Sequence, residues 1–231
     1  MTKELRSSNV ELRTRSFDER RLGRVGYGEA LELQAKLVEE RRSGAIGDTL
    51  LLLEHPPVIT LGVKTRGGRA NIIATPEALA AEGVEVFETG RGGDITYLGP
   101  GQLVGYPILD LRPDRCDVHK YVRDIEQALI IALREFGIEG GRVEGRTGVW
   151  VGSPGREEKI AAIGVRISRW ITSHGFALNV STNLQHFRLI VPCGIADRGV
   201  TSIDRVLGRS VPMPEVEDAV VRGFHSVFGA A

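Results

Sequence analysis

Gly148-Val149-Trp150-Val151-Gly152, a Ser153-Pro154-Gly155 turn, Lys159-Ile160-Ala161-Ala162-Ile163-Gly164-Val165-Arg166-Ile167-Ser168 and then Ile171 to Val180 place apolar, β-branched runs in series. Glycine, proline and serine separate them, which is the pattern of successive hairpins, so this stretch predicts an antiparallel sheet. Upstream, Asp117 stands where a helix N-cap belongs, before a long amphipathic pattern that runs to about Phe136 and stops at Gly137. Leu103 to Leu111 reads as a strand, preceded by a glycine-rich loop, Arg91 to Gln102, and by a strand from Val84 to Glu88. Thr75-Pro76 has the form of an N-cap with proline at the first helical position, and Gly83 reads as that helix's stop. Thr49 to Glu54 and Val58 to Leu61 read as buried strands, and residues 26–42 carry helical spacing. Downstream come a short helix near Ser202 to Leu207 and an amphipathic one from Pro214 to Phe228. The sum is an α+β fold, one mixed, largely antiparallel sheet packed by helices.

No linker, low-complexity tract or internal repeat divides the 231 residues, so one domain over 1–231 is expected. Thirty Lys and Arg balance thirty Asp and Glu, and no net field draws the chain to nucleic acid or anionic lipid. The N-terminus lacks a signal peptide's apolar core, and no apolar run approaches the ~18 residues of a membrane span, which reads as cytoplasmic. The two cysteines, Cys116 and Cys193, have neither CxxC nor Cys/His metal spacing, so a reducing compartment and no metal site are expected. The 29 glycines are about twice the typical ~7% and concentrate in the stretches that could meet a ligand.

Cys193, between Pro192 and Gly194 after Leu189-Ile190-Val191, sits where a strand gives way to a loop. From its residues alone it is either a pocket nucleophile or a buried, inert thiol. Lys159 opens an apolar strand and is either a charge partner for that thiol or a surface lysine. His174 is either a functional or a satisfied strand histidine. In the glycine run Arg91 supplies a forked donor while the glycines let main-chain N–H groups approach a carbonyl or phosphate, or else merely turn the chain. The run is neither a Walker loop nor a dinucleotide fingerprint.

Five motifs in order then resemble one family: Glu54-His55-Pro56-Pro57-Val58-Ile59-Thr60-Leu61-Gly62, Arg91 to Pro107, Lys159 to Gly164, His174-Gly175-Phe176-Ala177-Leu178-Asn179, and Pro192-Cys193-Gly194. The chain resembles the lipoyl(octanoyl) transferases, which move an octanoyl group from acyl carrier protein to proteins in lipoate biosynthesis. The resemblance implies a fold related to the biotin and lipoate protein ligases. It implies that Cys193 accepts the octanoyl group as a thioester and that Lys159 lowers the Cys193 pKa. It implies acyl-substrate contacts at Arg91, Gly92, Gly93, Asp94, Ile95, Thr96, Tyr97, Leu98, Ala162, Ile163, Gly164, Gly175, Phe176 and Ala177, with His174 in a supporting role. Leu98 departs from the pattern, which usually has histidine there.

The partners so implied are octanoyl-acyl carrier protein, the lipoyl domains of 2-oxoacid dehydrogenase E2 subunits and the glycine cleavage H protein. No cofactor, metal or nucleotide is expected, because a thioester already carries the activation that ATP would supply. An ATP-dependent lipoate or biotin ligase and a non-catalytic carrier-binding module are the competing readings; ATP dependence and a covalent intermediate separate them. Cys116 is read as structural, and His55, His119, His186 and His225 receive no catalytic role.

Overall fold

A computed structural model describes residues 16–65, 71–191 and 198–229. Its strands are β1 (Asp18–Arg24), β2 (Thr49–Glu54), β3 (Val58–Leu61), β4 (Glu85–Glu88), β5 (Ile95–Leu98), β6 (Gln102–Ile108), β7 (Gly141–Val143), β8 (Arg146–Val151), β9 (Glu158–Ser168) and β10 (Ile171–Asn179). Its α-helices are α1 (Tyr27–Ser43), α2 (Pro76–Ala81), α3 (Val118–Arg134), α4 (Ile203–Leu207) and α5 (Met213–Phe228).

Seven strands form a mixed sheet in the order β1-β2-β6-β10-β9-β8-β7, in which only the β1/β2 pair is parallel. The hairpins expected from residues 148–180 are β8/β9 and β9/β10. A second sheet, β4-β3-β5, was not anticipated as separate. It takes β3 out of the large sheet and turns part of the expected glycine loop into strand β5, paired antiparallel with β3 from Val58↔Leu98 to Leu61↔Ile95.

The leucine run of β2 explains the layering. Leu50 and Leu52 face a core filled by α3 and α5, with Ile125, Leu129, Val220 and Phe224. Leu51 and Leu53 face the opposite way, against Tyr27, Ala30 and Leu37 of α1. A strand covered on both faces must be apolar at every position, which is why β2 shows no alternation. A third cluster, including Ile59, Leu79, Tyr97 and Phe187, packs the small sheet.

The caps at Asp117 and Thr75 fall as the sequence predicts, and Ser202 adds one that was not anticipated. Asp117 accepts from the Lys120 N–H at 3.0 Å, Thr75 from the Ala78 N–H at 3.2 Å, and Ser202 from the Arg205 N–H at 3.4 Å.

Candidate active site

A cavity of about 580 Å³ lies among β5, β6, β9, β10 and the loop before β5. Its construction depends on a close approach at Gly164. A Cβ there would sit 2.8 Å from the Gly92 carbonyl oxygen and 3.3 Å from Arg91 Cδ, so only glycine lets the Arg91-Gly92-Gly93 segment lie on β9. The Gly92 N–H donates to the Val165 carbonyl at 2.8 Å. The N–H groups of Gly62, Val63 and Lys64 stitch the same segment down from the other side, donating to the carbonyls of Asp94, Arg91 and Gly93.

Arg91 is buried, and its guanidinium donates to Thr60 Oγ1 from Nε (3.0 Å) and Nη2 (2.9 Å), to the Thr60 carbonyl (2.6 Å) and to the Gly92 carbonyl (3.0 Å). These acceptors are neutral. Burial pulls the Arg91 pKa below its usual value, opposed by the nearby Tyr27, Tyr106 and Asp94.

Gly92, Gly93, Asp94, Ile95, Thr96 and Leu98 line the cavity, as do Ala162, Ile163, Gly164, Gly175, Phe176, Ala177, His174 and Lys159. Two of the expected contacts differ in what they do. Asp94 accepts from Thr65 Oγ1 at 2.6 Å and from Asn71 Nδ2 at 3.1 Å, joining the two described residues that flank 66–70. Tyr97 is not among the lining residues. The alternation of β5 turns its side chain into the third core cluster, where its hydroxyl lies 2.8 Å from His186 Nδ1. Burial pushes the Tyr97 pKa up to about 12, with Glu82 adding to it, so the hydroxyl keeps its proton at neutral pH.

Lys159 points its stem across Gly148 and sets Nζ 4.6 Å from the centre of the Trp150 ring. Its backbone pairs with the chain that follows residues 192–197: the Lys159 N–H donates to the Gly199 carbonyl and the Thr201 N–H to the Lys159 carbonyl, both at 3.0 Å. Cys193 itself lies outside the described residues. Cys116 is exposed, with its thiol 3.7 Å from the Leu111 carbonyl.

His174 adopts φ +53 inside β10. The His174 N–H donates across to Gln34 Oε1 on α1 at 2.8 Å. Burial first, then the charges of Arg91 and Arg166, lower its imidazole pKa to about 4, so the ring is neutral at pH 7.

Several lining residues carried no expectation. Tyr106 and Tyr27 face the cavity, and Tyr106 OH lies 2.7 Å from Nε2 of His55. His55 Nδ1 lies 2.7 Å from the Val25 carbonyl, which can only accept. Nδ1 therefore carries the proton, and Nε2 takes the hydrogen of the tyrosine hydroxyl. Burial lowers the His55 pKa to about 4, in keeping with a neutral ring. Gln102 donates from Nε2 to Asn179 Oδ1 at 2.9 Å, and Asn179 Nδ2 donates to the Thr201 carbonyl at 2.9 Å, tying β6 and β10 to the chain beside Lys159. Gln102 closes the glycine-rich loop and Asn179 ends the motif that opens at His174, and that placement was the available signal.

The sequence profile of the Lipoyl protein ligase A/B catalytic domain matches residues 26–225. The chain belongs to this family. An octanoyltransferase of Myxococcus xanthus is 57% identical over 90% of the chain, which spans 58% of that relative's length. One of Acidobacterium capsulatum is 56% identical, covering 90% of the chain and 88% of the relative. In the solved structures, a chain from the bipartite lipoate protein ligase and its E2 lipoyl domain of Thermoplasma acidophilum matches with a TM-score of 0.71. That match covers 92% of this chain and 84% of the other at 16% identity, a likeness of fold. Among the described residues no helix is long and apolar enough to cross a membrane.

Proposed function

We propose that the chain is an octanoyltransferase, carrying an octanoyl group from the thioester of an acyl carrier protein to a lysine of lipoyl domains, including those of 2-oxoacid dehydrogenases and the glycine cleavage H protein. The observation that carries the reading is the seat of Lys159, whose side chain opens onto a cavity lined by Leu98, Val104, Ile163, Phe176 and Ala177. The two curated relatives described above, 57% and 56% identical, are octanoyltransferases.

In this mechanism the Cys193 thiolate attacks the thioester carbonyl, a carbon–sulfur bond forms, and the tetrahedral intermediate expels the carrier's thiolate. The acceptor lysine amine then attacks the octanoyl-Cys193 thioester, an amide forms, and the Cys193 thiolate leaves. A free thiol is only a few per cent ionised at neutral pH, so the first step needs a cation beside Cys193, and Lys159 supplies it. Two unit charges ~4 Å apart attract by ~1 kcal/mol in water but by ~4 kcal/mol at an effective dielectric of 20, so the pair works where solvent is partly excluded. Acylation removes the negative partner, the Lys159 pKa drops, and Lys159 accepts the proton that the incoming ammonium must lose.

Arg91 to Thr96, Leu98, Ala162 to Gly164 and Gly175 to Ala177 surround the acyl substrate in this reading, with Tyr97 turned away from it. Burying each methylene contributes ~0.8 kcal/mol, which gives the apolar lining its grip on the chain. The reaction is placed in the cytoplasm and needs neither nucleotide nor metal.

The test is intact-protein mass after incubation with octanoyl-carrier protein, without ATP or metal, followed by hydroxylamine and peptide mapping. A hydroxylamine-labile octanoyl adduct on Cys193 is expected. An unmodified protein beside an intact carrier thioester overturns the reading, and activity that appears only with ATP and Mg²⁺ makes the chain a ligase.

A further inference from the structure

Glu126 is a fully buried carboxylate in the middle of α3. Both of its oxygens accept hydrogen bonds. Oε2 accepts from Arg123 Nη1 at 2.6 Å and from Arg142 Nε at 2.9 Å, and Oε1 accepts from the backbone N–H of Gly148 at 3.0 Å. Removing a carboxylate from water is costly unless its partners are complete, and a complete set is rigid.

The backbone group that Glu126 holds is the floor beneath Lys159. Gly148 has φ +118, and a Cβ there would lie 2.5 Å from the Ala161 carbonyl oxygen, 3.4 Å from Lys159 Cε and 3.6 Å from Lys159 Cδ. The lysine stem therefore lies on the bare Cα of Gly148. The register of β8 against β9 shifts between Val149 and Trp150, next to Gly148. The sheet ladder is interrupted where the lysine seat must be most exact, and the α3 carboxylate anchors the backbone instead.

We propose that Glu126 is a positioning residue for Lys159, acting through the Gly148 N–H to hold the lysine stem and to set its ammonium over the Trp150 ring. The proposal rests on the reading of Lys159 as the group that partners Cys193 and moves the proton. A carboxylate suits the position because one side chain must accept from two guanidinium groups and a main-chain N–H together. A glutamine can still accept at Gly148, but its NH₂ cannot accept from the arginines, so the clamp loosens without a change in volume.

The experiment is reductive ¹³C-methylation of the lysines of wild type and Glu126→Gln, with the Lys159 signal assigned by its loss in Lys159→Met. In wild type that signal is displaced by the ring current of Trp150. In folded Glu126→Gln it moves toward the position of exposed lysines. In the transfer assay kcat falls about 10- to 100-fold, the size of effect a small misplacement of a reacting group produces, while KM is unchanged. Combined with Lys159→Met, Glu126→Gln causes no additional loss.

An unmoved Lys159 signal in a folded Glu126→Gln protein, or losses that multiply in the double variant, overturns the proposal. If Glu126→Gln does not fold, Arg142→Gln decides: the same signal must move in the same direction, and its failure to move is equally fatal. The spectrum needs no substrate, so a wild type that forms no acyl adduct would refute the proposed function while leaving the result on the Lys159 seat intact.

Discussion

At the scale of single residues, Leu98 is the position where the chain leaves its family's usual pattern, and the structure gives the apolar side chain a purpose. It is buried beside Val104, Tyr106 and Ala177. A histidine placed there meets that apolar wall, so Leu98→His is expected to lose ~1–3 kcal/mol in urea melts, and an unchanged midpoint would show that a partner is at hand. His55 and His174 set an acid limb. Each has its pKa lowered from 6.5 to about 4 by burial, so between those values the unfolded chain binds protons that the folded chain refuses. Stability is then flat above pH 6.5 and falls as pH drops toward 4, by up to ~1.4 kcal/mol per pH unit for each histidine. His174→Asn, a residue that tolerates positive φ, should remove roughly half of that slope, checked by urea unfolding at several pH values from 4 to 7.5. An acid limb as steep as that of wild type would remove His174 from the account. The sequence motifs give Tyr27 and Tyr106 no role, since an aromatic residue in an apolar segment looks the same whether it faces a core or a cavity.

At the scale of elements, local chemistry explains what was legible. β2 and β3 have the bounds their apolar runs predict, and α2, α3 and α4 begin one residue after the polar side chains that cap them. Asp117→Ala removes the acceptor for the Lys120 N–H at the start of α3, with an expected cost of ~1 kcal/mol in thermal or denaturant unfolding. A cost near zero would mean that packing of the apolar face against α5 alone sets the helix start. Two of the strands that were missed, β1 and β5, share a cause. β1, Asp-Glu-Arg-Arg-Leu-Gly-Arg, is an edge strand whose charges show no alternation, and it exists because β2 offers it a parallel backbone partner. β5 has only four residues inside a glycine run and is a strand because β3 lies beside it. Pairing between distant segments made both, and neither carries a local signal strong enough to announce it.

At the scale of the whole molecule, a formal charge of zero at pH 7 predicts that solubility is lowest near neutral pH at low ionic strength and improves on either side, measurable by light scattering from pH 5 to 9. A minimum displaced by more than about a pH unit would show that folded-state charge regulation outweighs composition. The sequence by itself determined the α+β class, the hairpins of residues 148–180, the capped helices and, through five ordered motifs, the family; each of these depends on residues near one another in the chain or on motif identity. Only the tertiary structure decided that β3 leaves the large sheet for a second one, that Tyr97 turns from the cavity to His186, and that Asp94 joins Thr65 to Asn71. It alone brought Glu126 beneath the seat of Lys159. The physical reason is that these contacts join segments far apart in sequence, where side-chain direction and backbone pairing follow from packing rather than from local propensity.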